Sequence, residues 1–246
     1  MKKILIITVA IVFAVSCSKK EDDSEPSKPS TSPACFETPI YSTQLPNMDF
    51  EEWGYFDSSG GKYLDPCGNV WFSSNGVSSQ VDLITCDRTT DSQHGSYAVK
   101  MTTQSVLGPI IAPGVFFLGR FKSYEINLTK LLANAEFGVP FVEKPVSLKG
   151  YQKYTSVSSD SAFAAVMLSK YNTTTKTRDT VGYGELTIKG TSTAFIEFTI
   201  NLDYSYSAGT ETPDSLSMLF ASSKEVEALE GQVGSSLIID NLFLQY

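Results

Sequence analysis

The chain has 246 residues, ordinary globular composition (41% hydrophobic, 19% charged) and a formal net charge of -8, with a pI near 4.7. An acidic chain is poorly suited to nucleic acid, whose phosphates call for Lys and Arg, and charge alone would not hold it on an anionic membrane. The length allows one large β domain or two small ones, with enough chain to bury a substantial core.

The chain begins with Lys2 and Lys3, an apolar run from Ile4 to Val15, then Ser16 and Cys17 ahead of a polar stretch. A short basic segment, an apolar core and a small residue before the cysteine read as a secretory leader. The run falls short of the roughly 20 apolar residues needed to span a bilayer. Ala14-Val15-Ser16-Cys17 resembles a bacterial lipobox. That resemblance implies cleavage before Cys17, a signal peptide over 1–16 and lipid on Cys17. Without Lys2 and Lys3 the remaining chain carries 17 basic and 27 acidic residues, a net charge of -10.

Ser18 to Pro33 holds no large apolar residue, so it is expected to be a flexible tether. Residues 17–40 are therefore expected to be anchor and tether, and 41–246 one β domain. Strands are expected at Val81–Thr85, Tyr97–Thr103, Val115–Phe121, Ala162–Tyr171, Ala194–Tyr206, Leu216–Ser222 and Ser236–Tyr246, each a short apolar or alternating run between turn residues. In Ala194–Tyr206 the even positions Ile196, Phe198, Ile200, Leu202 and Tyr204 are expected to face the core. Thr129–Glu136 and Lys224–Leu229 look helical. Many short strands without βαβ alternation predict an all-β, two-sheet sandwich of jelly-roll type.

Cys35, Cys67 and Cys86 remain after lipidation, so one intramolecular bridge at most can form. Cys67 and Cys86 flank one strand region in the folded part and are the favoured pair; three free thiols is the alternative. His94 is the sole histidine and there is no C-x-x-C, so no zinc pattern exists. His94 is expected to be a surface turn residue.

Several segments together carry a family resemblance: Leu45-Pro46-Asn47-Met48-Asp49-Phe50-Glu51-Glu52-Trp53, His94 to Met101, Phe137-Gly138-Val139-Pro140-Phe141 with Lys144 to Tyr154, Phe220 to Lys224, and Gly234 to Leu244. They resemble PCMD, the putative carbohydrate metabolism domain of Bacteroidetes lipoproteins. The resemblance implies a jelly-roll β-sandwich similar to carbohydrate-binding modules, working on poly- or oligosaccharide. The acidic run after Cys17 also resembles the signal that sends such lipoproteins to the outer face of the outer membrane.

The Asn47–Glu51 start, the Gly95–Ala98 turn and Asp240 resemble the structural calcium site of such modules. That match would make Glu51 and Asp240 carboxylate ligands, Asp49 and Ser96 backbone ligands, and Asp91 a further carboxylate, since Ca²⁺ takes six to eight oxygens. The alternative is that these acids bond backbone amides. Sugars stack their C–H faces on flat rings, and Trp71 with Asn69 and Asn75 suits such a site, with Tyr151 and Tyr154 added; burial of Trp71 in the core is the alternative. A glycosidase needs two carboxylates about 5 Å or roughly 6.5–9.5 Å apart. Glu143, Asp160, Glu185 and Glu197 are available, with Glu143 and Glu197 the catalytic candidates. No nucleophile elbow or phosphate loop is present. The expected function is a non-catalytic glycan-binding surface lipoprotein; the alternatives are a glycosidase-like enzyme and an adhesion protein.

Overall fold

Alternating burial along the long strands sets the architecture. In Ser161–Asn172 (β12), Ala162, Ala164, Val166 and Leu168 are buried while Phe163, Ala165 and Met167 between them are half-buried. That period of two is what a strand with one face on a core requires. The computed structural model describes residues 43–58, 61–107, 110–123, 134–206, 211–226 and 230–246. The expected leader, Cys17 and the tether lie outside them, as does Cys35.

In chain order the strands are β1 (Trp53–Ser58), β2 (Gly61–Pro66), β3 (Trp71–Ser73), β4 (Cys86–Thr89), β5 (Ala98–Thr102), β6 (Gln104–Leu107), β7 (Ile110–Ala112), β8 (Val115–Phe121), β9 (Ala135–Phe137), β10 (Val139–Pro140), β11 (Ser147–Thr155), β12, β13 (Thr177–Lys189), β14 (Ile196–Asn201), β15 (Ser215–Ala221) and β16 (Ser236–Gln245). A seven-stranded sheet runs β13-β12-β15-β8-β3, with β10 on β15 and β9 on β8; a five-stranded sheet runs β14-β11-β16-β5-β4. The pairings within both are antiparallel. The expected all-β jelly-roll sandwich is what the chain forms. Among the described residues, no helix is long and apolar enough to cross a membrane.

The main core lies between the two sheets. Phe116, Leu118, Val166, Leu168, Leu216, Met218 and Phe220 from one sheet join Leu148, Phe198, Ile200, Leu237 and Ile239 from the other. Phe50 and Trp71 fill one end, with Trp71 stacked on Phe116 at 5.2 Å and 11° between planes. A second apolar cluster sits on the opposite side of the seven-stranded sheet, built on Phe72, Phe117, Phe121 and Ala221 and covered by Val77 and Val226.

Five expected strands hold with small shifts: β5, β8, β12, β15 and β16. Ala194–Tyr206 narrows to β14. There Phe198, Ile200 and Leu202 face inward and Tyr204 is half-buried, but Ile196 is 50% exposed. Val81–Thr85 is not a strand. It follows a helical turn (α1, Asn75–Ser78) and a 3-10 turn, Ser79–Val81, that ends on Asp82 in left-handed conformation. The reason is local. The Asn75 amide captures the backbone of Thr85 and Cys86, and Ser78 Oγ donates to the Leu83 carbonyl, so the chain is bent to these side chains before it can pair. Of the expected helix Thr129–Glu136, Ala135 and Glu136 belong to β9 and 129–133 lie outside the described residues. Lys224–Val226 are bend and turn, not helix; residues 227–229 lie outside.

Candidate functional site: the outer face of the seven-stranded sheet

The residues expected to bind sugar do not converge. Trp71 is fully buried, edge-on to Phe50, and its indole N–H donates to the Pro46 carbonyl at 2.9 Å. It belongs to the core because β3 pairs with β8 and turns the ring onto Phe116. Asn75 is also fully buried; its amide donates to the Cys86 carbonyl at 2.6 Å and accepts from the Thr85 and Cys86 N–H groups, so it builds the bend and has no face for a ligand. Tyr154 points inward, its hydroxyl on the Ser222 carbonyl, and burial pushes its pKa up to about 12. Asn69 sits exposed in the β2–β3 turn with φ +53°. Tyr151 is half-exposed on the outer face of the five-stranded sheet, between Glu197 and Asp240 in register. Glu197 is exposed on that same face, and Glu143 lies in the loop before β11.

The acids expected to hold calcium gather on one turn in a different way. Glu51 accepts from the Ser96 and Tyr97 N–H groups at 2.9 and 3.0 Å. Asp240, fully buried, accepts from Gln93, His94 and Asn241 at 2.7, 2.9 and 2.7 Å. Burial pushes the Asp240 carboxyl above the usual range against the pull of those donors. Asp91 is taken by Lys153 at 2.7 Å, and Asp49 is exposed in the Pro46–Asp49 turn. Calcium requires carboxylate and carbonyl oxygens turned to one point. Here the turn presents N–H donors instead, and among the described residues no group of three or more His, Cys, Asp or Glu is placed to hold a metal. As placed, these residues pin the 91–97 turn to β16 and to the segment just before β1.

The favoured Cys67–Cys86 bridge is not formed. Cys86 is a free, buried thiol donating to the Val115 carbonyl at 3.3 Å, while Cys67 is disulfide-bonded to a partner outside the described residues. Nearby lies an acid the sequence did not mark. Asp65 is 1% exposed and accepts from the Ser73 amide at 3.0 Å and its hydroxyl at 2.6 Å. Burial drives its pKa up to about 8, and the neighbouring Asp87 adds to the rise.

One surface does collect ring and aliphatic groups within reach of solvent: the outer side of the seven-stranded sheet. Register carries it across the strands. Tyr183 on β13 stands opposite Met167 on β12, which stands opposite Ser217 on β15. One row further, Glu185, Ala165, Leu219 and Phe117 align; beyond that come Thr187, Phe163 and Ala221. Phe163, Ala165, Met167, Tyr183, Ser217 and Leu219 are all half-buried. Phe163, Met167 and Tyr183 belong to neither apolar cluster among the described residues. The small side chains of Ala165 and Ser217 keep the floor low. Tyr183, Glu185 and the 58% exposed Tyr206 rise on one side, with the two tyrosine rings edge to face at 6.3 Å. Phe137, 38% exposed and 5.2 Å from Phe117, rises on the other. Gly138 (φ +97°) packs against the Ser215 and Ser217 hydroxyls, where any side chain would collide.

Polar groups edge the strip. The Tyr183 hydroxyl donates to Glu185 Oε2 at 2.6 Å, and partial burial with that bond pushes the tyrosine pKa up to about 12. The phenol therefore stays a fixed donor and its ring keeps one orientation. The face thus offers flat rings, a carboxylate and hydroxyls on a rigid sheet, a combination suited to a ligand with apolar faces and a hydroxylated edge. The sequence held one signal for it. Ala162 to Leu168 is apolar at both odd and even positions, which demands something apolar on both faces of β12.

Residues 48–162 match the family model of PCMD, the putative carbohydrate metabolism domain. The resemblance read from the sequence is borne out over that segment; the Phe220 and Gly234 blocks lie beyond it. Two solved structures share the fold. A putative glycoside hydrolase from Bacteroides thetaiotaomicron is 18% identical with a TM-score of 0.68, covering 85% of this chain and 72% of that one. A putative glycoside hydrolase from Bacteroides vulgatus is 18% identical with a TM-score of 0.67, covering 80% of this chain and 96% of that one. No curated protein matches the chain.

Proposed function

We propose that this domain is a non-catalytic glycan-binding module that holds carbohydrate on the outer face of its seven-stranded sheet. The observation that carries the reading is the half-exposed strip of Tyr183, Met167, Phe163 and Leu219, bordered by Glu185 and Ser217, on a sheet already backed by the main core. The family description supports the same substrate class. Binding is favoured over hydrolysis because Glu197 lies on the far sheet, away from the strip, and Glu185 is engaged by Tyr183.

The sequence of the leader supports attachment to the outer membrane through lipid on Cys17, with the domain held at the cell surface. Metabolic labelling with a radioactive fatty acid tests this: label lost and protein released in Cys17→Ser supports it, and unchanged membrane association opposes it. The binding reading is tested by retardation of the folded domain in gels containing soluble polysaccharides, with Tyr183→Ala alongside. Retardation that weakens in the variant supports the assignment; retardation indifferent to Tyr183 places the site elsewhere.

A further inference from the structure

Three aromatic side chains on the outer face of β12 and β13 fall at regular intervals. Tyr171 lies on β12, 44% exposed; Met167, with Tyr183 beside it, comes four residues earlier; Phe163 comes four residues before that. All are at odd positions of β12 or in register with one, so they share a face. At the β-bulge between Leu168 and Ser169 the extra residue, Val181, lies on β13, so β12 keeps one residue per step, although Leu168 and Ser169 are both buried and Lys170 and Tyr171 both exposed at that end. Arg178 confirms the facing, since it stands opposite Tyr171 and donates to Ser169 Oγ at 3.2 Å. At about 3.3 Å per residue the rings stand roughly 13 Å apart, and the row runs about 26 Å. It takes up nearly the full length of the β12–β13 hairpin, from close to Lys189 to the turn at 172–177.

From this spacing we infer that the face takes an internal stretch of an extended, unbranched, uncharged polysaccharide lying along β12 and β13, in contact with three successive ring platforms. The inference rests on the binding reading above. A ligand laid along the hairpin leaves it at both ends, so no chain terminus is recognised. Its neutrality follows from the charges beside it. Arg178 is paired with Asp214 at 2.6 Å, and Glu185 and Lys189, both exposed on the same face, contribute one charge of each sign, so the row has no excess of cations to hold an anionic polymer.

The test uses linear xylan, galactan and mixed-linkage glucan, their oligosaccharides from di- to hexasaccharide, and polygalacturonate as the anionic polymer. Affinity should climb with length through the series. Tyr171→Ala, a surface change that leaves the melting temperature in place, should weaken polymer and hexasaccharide binding roughly three- to tenfold and leave disaccharide binding untouched. If Tyr183→Ala weakens binding while Tyr171→Ala does not, and affinity is flat beyond the disaccharide, the face binds glycan and the extended row is wrong. Tighter binding of polygalacturonate than of every neutral polymer overturns the neutrality. If polymer is held equally by wild type and Tyr183→Ala, or no polymer is held at all, the binding reading itself fails.

Discussion

Replacing Asp65 with Asn should abolish a pH dependence that this one buried acid imposes on the domain. Asp65, on β2, is nearly inaccessible, with two donors from Ser73 on β3 as its partners. Burial dominates and lifts its pKa from 3.8 to about 8. The folded state therefore holds a proton that the unfolded chain releases near pH 4. A raised carboxyl stabilises fully below the unfolded pKa and loses that contribution as pH rises toward the folded one. Through that window one proton changes stability by about 1.4 kcal/mol per pH unit. For a domain of this size that is about 3–6 °C in melting temperature per unit. Asp240, also raised by burial, adds a slope of the same sign that Asp65→Asn leaves in place. Asn keeps a carbonyl for the Ser73 amide and turns an N–H toward the Ser73 hydroxyl, so Asp65→Asn should match wild type near pH 5 and exceed it increasingly toward pH 8. Thermal melts by circular dichroism at half-unit steps read this directly. A wild-type melting temperature flat from pH 5 to 8, or a variant with the same slope, would refute the reasoning.

Trp71→Ala should cost about 3–5 kcal/mol by truncating a fully buried ring, visible as a large drop in urea midpoint, so its effect on glycan retention reports unfolding. Because the 91–97 turn is held by N–H donors to Glu51 and Asp240, chelator should leave the melting temperature unchanged; a fall on chelation, restored by calcium, would contradict that account. Gly95→Ala should destabilise by about 1–2 kcal/mol, since Gly95 is left-handed (φ +67°) and its missing side chain makes room for the Glu51 carboxylate. Cys86 should resist thiol reagents in the native domain and react on unfolding, as mapped by mass spectrometry; labelling of Cys86 in the folded state would show the thiol is not buried.

Strands written as continuous apolar or alternating runs were legible in the sequence, and those interrupted by inward-facing glycines or a glutamine were not. β8, β12, β15 and β16 announce themselves as apolar runs. β11 hides because Gly150 takes an inward position, with Leu242 and Phe198 closing over it, and Gln152 takes another. β13 hides for a similar reason: Gly182 and Gly184 occupy places where Tyr204 and the Asn201 backbone leave no room for a side chain. The family resemblance was legible, while three of the residues read as a sugar site, Trp71, Asn75 and Tyr154, are buried. Trp71 attracted attention as a large ring among Gly, Asn and Ser, but only register shows that it meets Phe116. Tyr183 and Met167 are far apart in sequence and become neighbours only when β12 and β13 pair. The acids come together as expected. Glu51, Ser96 and Asp240 do meet, through hydrogen bonds to a turn whose N–H groups no composition argument could orient.

The most direct measurement of the central claim compares two tyrosines on opposite sheets in one affinity-electrophoresis experiment. Tyr183→Ala and Tyr151→Ala remove half-exposed rings from the seven-stranded and five-stranded outer faces respectively. With both variants folded, the account predicts that retardation on the retaining polysaccharide is lost or sharply reduced in Tyr183→Ala and preserved in Tyr151→Ala. Retardation preserved in Tyr183→Ala and lost in Tyr151→Ala would contradict it and move the site to the other sheet.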